Sequence, residues 1–186
     1  MGHQNEDFDS LGAAIGVSRM AKYLKKPVHI ILSEFNTGIS KFTETLKTKE
    51  GYSELFLPAN KLINITAERP LLFVVDTHIP HLTASPELLE RIKDVVVIDH
   101  HRRNAAKDTV IDSPVFTYIE PSAASACELV AELIKYSSTN PRIQLPQSYA
   151  TIMLSGIFLD TGFFKVKGVG MRAFEASMIL KEYGAD

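Results

Sequence analysis

Residues 95–101 read VVVIDHH. Four β-branched apolar residues run without interruption, then stop on an acid and two imidazoles. A strand half exposed to water would alternate apolar with polar. An unbroken apolar run suits a strand covered on both faces, as in a parallel sheet. LLFVVD (71–76) has the same build, an apolar run ending on an acid. VHIIL (28–32) and FTYIE (116–120) supply two more strands.

Helical stretches separate these runs. SLGAAIGVSRMAKYLKK (10–26), SPELLERIK (85–93), SAASACELVAELIKY (122–136) and QSYATIMLSGIFLD (147–160) read as helices. Ser10, Ser85 and Ser122 are the expected N-caps, and Pro86 suits a first turn. MRAFEASMILKEY (171–183) is amphipathic and ends at Gly184. SSTNPRIQLP (137–146) reads as a surface loop. Strands alternating with helices predict an α/β fold, a doubly wound and mostly parallel sheet flanked by helices.

In such a sheet, ligands gather beyond the carboxyl ends of the strands. Asp76 ends one strand, and Asp99, His100 and His101 end another. Asp160 follows SGIFL, and His3, Asp7 and Asp9 form H-x-x-x-D-x-D just before the first helix. Taken singly, each has an ordinary use: a turn, a cap, a surface histidine. Taken together, four segments bring acids and imidazoles to one rim. Carboxylates with a few imidazoles suit Mn²⁺ or Mg²⁺ better than a thiolate-type site does. The set exceeds the needs of one cation, and two cations about 3.5–4 Å apart serve phosphoester hydrolysis. A helix beginning beside the first ligands adds free N–H groups near a phosphate.

Composition sets limits. The chain has 186 residues, 45% hydrophobic and 23% charged, enough for a sizeable core. The net charge of −2 carries no basic stripe of the kind tight duplex binding needs. The single cysteine, Cys127, rules out an internal disulfide framework and suits a reducing compartment. No apolar run reaches the roughly 18 residues of a membrane span.

The stretches GHQNEDFDSLGAAIG (2–16), VVDTH (74–78), VIDHHRR (97–103) and SGIFLDTGFF (155–164) resemble the four ordered motifs of the DHH phosphoesterase superfamily. YIEPSAASACELVAELIKY (118–136) and MRAFEASMILKEYGAD (171–186) are similar to the DHH domain of GdpP-type (YybT-type) cyclic-di-AMP phosphodiesterases. The resemblance implies one DHH domain over residues 1–186 and a dinuclear manganese site, with Mg²⁺ or Co²⁺ as substitutes. By motif, His3, Asp7 and Asp76 hold one ion. Asp9, Asp76, His100 and Asp160 hold the other, Asp76 bridging. His101 faces the scissile phosphate and stabilises charge, and Asp99 orients the histidines. Lys167 and Arg172, with Lys165, are the basic groups for phosphate contacts. The implied reaction converts cyclic-di-AMP, a cyclic dinucleotide, to linear pApA.

The resemblance also implies a strand before Gly2, a downstream DHHA1 domain, and a membrane-anchored parent with this domain in the cytoplasm. On that reading the chain is a trimmed domain that makes no membrane contact itself. A homodimer of the parent stays open. The family usually has Pro where Glu6 stands, a departure expected to disturb the stiffness and charge of that loop. His29 is expected to be a packed or edge histidine and Cys127 a core residue, and His78 and His81 are candidates to line the site. A sibling oligoribonuclease with 3′-phosphoadenosine phosphatase activity remains an alternative, although such enzymes usually have Gly where Phe8 stands. Family II pyrophosphatases, RecJ-type exonucleases and a nucleotide or metal sensor without turnover are further alternatives.

Overall fold

The computed structural model describes residues 1–33, 39–49, 55–62, 69–103, 109–137 and 142–186. In chain order the elements are α1 (Phe8–Tyr23), β1 (Ile30–Leu32), α2 (Ser40–Lys49), β2 (Phe56–Pro58), α3 (Ala59–Leu62), β3 (Leu71–Val75), a 3₁₀ turn (Pro80–Leu82), α4 (Pro86–Arg91), β4 (Asp94–Asp99), β5 (Phe116–Ile119), α5 (Ala126–Ser137), α6 (Gln147–Asp160) and α7 (Met171–Glu182). β1 pairs with β2, and β3–β4–β5 form a three-stranded sheet; every one of these pairings is parallel. This is the α/β architecture with parallel strands that the apolar runs predict.

The runs of β3 and β4 are continuous because both faces of these strands are largely buried, whereas β5 at the sheet edge is exposed or half-buried. On β4, Val96 and Ile98 join the larger core with α1, α5, α6 and α7. Val95 and Val97 join a second core with Leu72, Val74, Leu88 and Ile92. Neighbouring residues on one strand thus feed opposite layers, as period-2 geometry requires.

α1 is the central helix. Residues Asp9 through Ser18 are all buried, so it has no polar stripe. Small residues let its neighbours approach closely. A Cβ on Gly12 would stand 2.6 Å from Cys127 Sγ and 3.0 Å from Met153 Cα. One on Gly156 would stand 2.8 Å from Asp9 Cα. This contact between α1, α5 and α6 fixes the acids at the start of α1.

Two expected caps are displaced. Asp7, not Ser10, caps α1: its carboxylate accepts the N–H groups of Asp9 and Ser10, both at 2.9 Å. α5 starts at Ala126 instead of 122, with Ser125 Oγ accepting the N–H of Glu128 at 3.2 Å. Ser122 instead donates its hydroxyl to Glu120 at 2.7 Å. Ser85 caps α4 as expected, and Gly184 follows α7 at φ 85°.

The first residues are held on two sides. Met1 N donates to Phe73 O at 2.7 Å, and Val75 N donates to Met1 O at 2.9 Å, which sets Met1 parallel to β3. Gln4 N donates to Leu82 O at 2.6 Å, and Ala84 N donates to Gly2 O at 2.8 Å. Among the described residues no helix is long and apolar enough to cross a membrane.

Candidate metal centre

The carboxyl ends of β3 and β4, the start of α1 and the end of α6 meet at one point. Asp76 follows β3 in a left-handed conformation, φ 60°, which an Asp side chain tolerates better than most. Its amide donates to Ile98 O at 2.9 Å, locking the end of β3 to β4. The side chain is buried, and its two oxygens face different neighbours. Oδ2 lies 3.3 Å from His3 Nε2, whereas Oδ1 lies 3.3 Å from His100 Nε2.

Around these two oxygens the remaining acids divide. His3 Nε2 is 3.6 Å from Asp7 Oδ2. His100 Nε2 is 3.4 Å from Asp160 Oδ2 and 3.9 Å from Asp9 Oδ2. Among the described residues, His3–Asp7–Asp76, Asp9–His100–Asp160 and Asp76–His100–His101 each offer donor atoms within 4.8 Å of one another. The residues fit a metal. The buried Asp76 Oδ1 and His100 Nε2 have no hydrogen-bond partner. Buried polar atoms are rarely left without one, and a hard oxygen and imidazole set suits Mn²⁺ or Mg²⁺.

Asp9 also joins the helices. Its carboxylate accepts Ala126 N–H at 2.6 Å and Cys127 N–H at 2.9 Å, the free donors at the start of α5. Burial, then the charges of Asp76 and Asp160, push its pKa well up. Asp160 is pushed up to about 6 by burial and by the Asp76 and Asp7 charges. The His3 pKa is raised to about 11, first by the nearby Asp7 carboxylate and then by that of Asp76. For His100, burial works against the cation, yet the Asp76 carboxylate 3.3 Å away and the charges of Asp9 and Asp160 carry the pKa up to about 9. The site is a cluster of carboxylates that raise one another's pKa and hold His3 and His100 as cations, so it draws positive charge.

Asp99 is fully buried and holds two imidazoles. Its Oδ1 is 2.8 Å from His101 Nδ1, and its Oδ2 meets His78 Nδ1. Burial opposes its ionised form, but the bonds from His101 and His78 outweigh this and lower its pKa. The His101 pKa is raised, chiefly by its bond to Asp99. With Nδ1 engaged, His101 has Nε2 left for a ligand, and the residue lines a cavity of about 480 Å³ beside the acids. His78 lines that cavity as well, as its place after Asp76 allowed.

Four residues fall elsewhere or play a part that was not anticipated. Arg102 lines the cavity; its place directly after His101 was the available signal. Arg172 pairs with Glu132 at 3.4 Å, and Lys167 is exposed in the turn before α7. Neither lines this cavity. Glu6 is buried, and its carboxylate accepts Ser33 N–H at 2.5 Å and Ser33 Oγ–H at 2.7 Å. The extra acid between Asn5 and Asp7 therefore ties the loop to the end of β1, where disturbance was expected.

Comparison with known proteins agrees with this geometry. The model of the DHH family, N-terminal domain, matches residues 1–157.

The chain belongs to the DHH family.

It is 36% identical over 188 residues to a cyclic-di-AMP phosphodiesterase GdpP of Geobacillus thermodenitrificans, covering all of this chain and 28% of that protein. It is 35% identical over 189 residues to the cyclic-di-AMP phosphodiesterase PdeA of Listeria monocytogenes, again over the whole chain and 28% of that protein. This DHH chain thus spans a little over a quarter of the length of these relatives. A crystal structure of an exopolyphosphatase-related protein from Bacteroides fragilis shares the fold: TM-score 0.74 and 21% identity over all of this chain and 52% of that one.

Proposed function

We propose that this DHH chain is the metal-binding part of a phosphodiesterase that hydrolyses cyclic-di-AMP to pApA with two Mn²⁺ ions. The observation that carries the reading is Asp76, whose two oxygens face separate ligand groups at 3.3 Å each. His3, Asp7 and Asp76 would hold one ion; Asp9, Asp76, His100 and Asp160 would hold the other. Ions bound there supply charge that lowers the pKa of water and offsets charge on a phosphoryl group.

The chain's own residues do the rest. His101, fixed through Nδ1 by Asp99, turns its other face to the phosphate and offsets the charge that builds on the non-bridging oxygens. Arg102 on the same wall adds a second positive group. In the overall step, water adds to phosphorus, the P–O3′ bond breaks, and the departing 3′-oxygen takes a proton. The product keeps a 5′-phosphate, as pApA does. The substrate class is supported by full-chain identity to GdpP and PdeA, which carry that activity in their names.

The test is a panel assay with Mn²⁺ on cyclic-di-AMP, pApA, 3′-phosphoadenosine phosphate and pyrophosphate. Cyclic-di-AMP should be turned over with the highest kcat/KM. A preference for pApA or 3′-phosphoadenosine phosphate would move the assignment to the oligoribonuclease side of the superfamily.

A further inference from the structure

A second cavity lies on the same rim. Its volume is about 490 Å³, and Gln4 and Asn5 line both it and the metal-side cavity. Its far walls are Ser33 after β1, Asn60 in α3 and Ser85 before α4. Both cavities fall within the roughly 300–1,000 Å³ of small-molecule sites.

The lining is chemically distinct from the metal centre. Among the described residues the polar lining groups are neutral amides and hydroxyls, with Glu87 the one ionisable lining residue. Among the described residues no Lys, Arg or His lines it. A phosphate would need a compensating cation, so this cavity suits an uncharged ligand. Leu32, Ala59, Ala84 and Pro86 add apolar surface for a flat ring. Amide side chains match a purine edge, offering a donor and an acceptor side by side.

Asn5 stands out in this wall. It is exposed, at φ 56°, and no hydrogen bond among the described residues uses its amide. Its neighbour Glu6 is clamped to Ser33, so the wall is held in place.

We propose that this second cavity binds a nucleoside moiety: the base and ribose that adjoin the phosphate cut at the metal centre. The proposal rests on the phosphodiesterase reading for its ligand class. Two cavities of similar size on either side of the Gln4–Asn5 wall match a ligand with two nucleoside halves. The phosphate then sits at the metal side, and the base beyond Asn5 meets neutral amides.

Adenosine, which has no phosphate, is the probe. The 186-residue chain with Mg²⁺ is titrated and followed by ¹H–¹⁵N spectra. Saturable shifts should cluster on the amides of Asn5, Ser33, Asn60 and Ser85. Asn5→Gly, which keeps the positive φ without strain, should weaken adenosine at least about fivefold, the lower end for losing one bidentate amide pair. Ala59→Leu, outside the metal loop, should weaken it by filling the cavity. Absence of saturable shifts, shifts confined to Thr77, Ile79 and Arg102, or equal affinity in both variants would overturn the proposal. Cyclic-di-AMP hydrolysis is measured on the same protein preparation with Mn²⁺. Turnover without adenosine at this cavity sinks the subsite alone. Adenosine at this cavity without turnover of any dinucleotide sinks the phosphodiesterase reading and leaves a nucleoside site.

Discussion

At the scale of single residues, Asp76 carries the most. It is buried, left-handed at φ 60°, and shared by two ligand groups. Asp76→Ala should lose both ions together, read by elemental analysis of the purified variant. Full two-ion occupancy would reject the shared role. His101 differs because Asp99 already holds its Nδ1. His101→Ala should keep both ions and lower turnover by roughly 10²–10³-fold, the scale of one lost transition-state charge donor. Loss of metal there would make it a ligand instead. Glu6 acts one step further out, through its two bonds to Ser33. Glu6→Ala should weaken the ion held by His3 and Asp7 more than the other, and Glu6→Gln, which can still accept from Ser33, should restore part of the loss. Equal weakening of both ions in a Mn²⁺ titration would count against a local clamp.

At the scale of elements, the close approach of α1 to α5 and α6 makes a sharp expectation. A methyl group on Gly12 meets a sulfur at 2.6 Å and helix backbone at 3.0 Å. Gly12→Ala should cost about 1–3 kcal/mol by overpacking, seen as a lower urea midpoint at unchanged slope. A gain in stability, which a helix-propensity argument alone would give, would mean the helices can separate freely. The same elements show what could be read in advance. VVVID and LLFVVD were legible because burial on both faces leaves an unbroken apolar run. α2 and β2 were not anticipated: α2 is SKFTETLKTK, mostly polar, and β2 is only three residues long. Nor could local sequence show that Asp9 would accept from the start of α5, 117 residues away. Asp7 was read for its carboxylate chemistry, and its second use as the α1 cap displaced Ser10 from that role. The acids and imidazoles of the rim were recognisable because each ends or begins an element. Arg102 and the Glu6–Ser33 clamp emerge only when the loops are placed in space.

At the scale of the whole molecule, the centre is the point where the helical layer, the sheet and the first loop meet. Asp9 and Asp160 come from the helical layer, Asp76 and His100 from the sheet, and His3 and Asp7 from the loop hydrogen-bonded to the 82–84 segment. Without a cation, burial and then like-charge repulsion from Asp76 and Asp160 raise the pKa of Asp9, and burial and then the Asp76 and Asp7 charges do the same to Asp160. Repulsion between segments so far apart in sequence exists only in the folded chain, so a cation that relieves it binds the native state and not the unfolded one. Mass action then ties stability to metal: at 100 times the dissociation constant the gain is about 2.7 kcal/mol. For a chain of this size each kcal/mol moves Tm by about 2–4 °C. Mn²⁺ should therefore raise Tm by roughly 5–10 °C, and excess EDTA should return it to the starting value. Asp76→Ala should flatten this response, since it removes the residue common to both ligand groups. If Tm is indifferent to Mn²⁺ in the unaltered chain, the acids do not act as a joint cation site, and the two-ion reading falls with them.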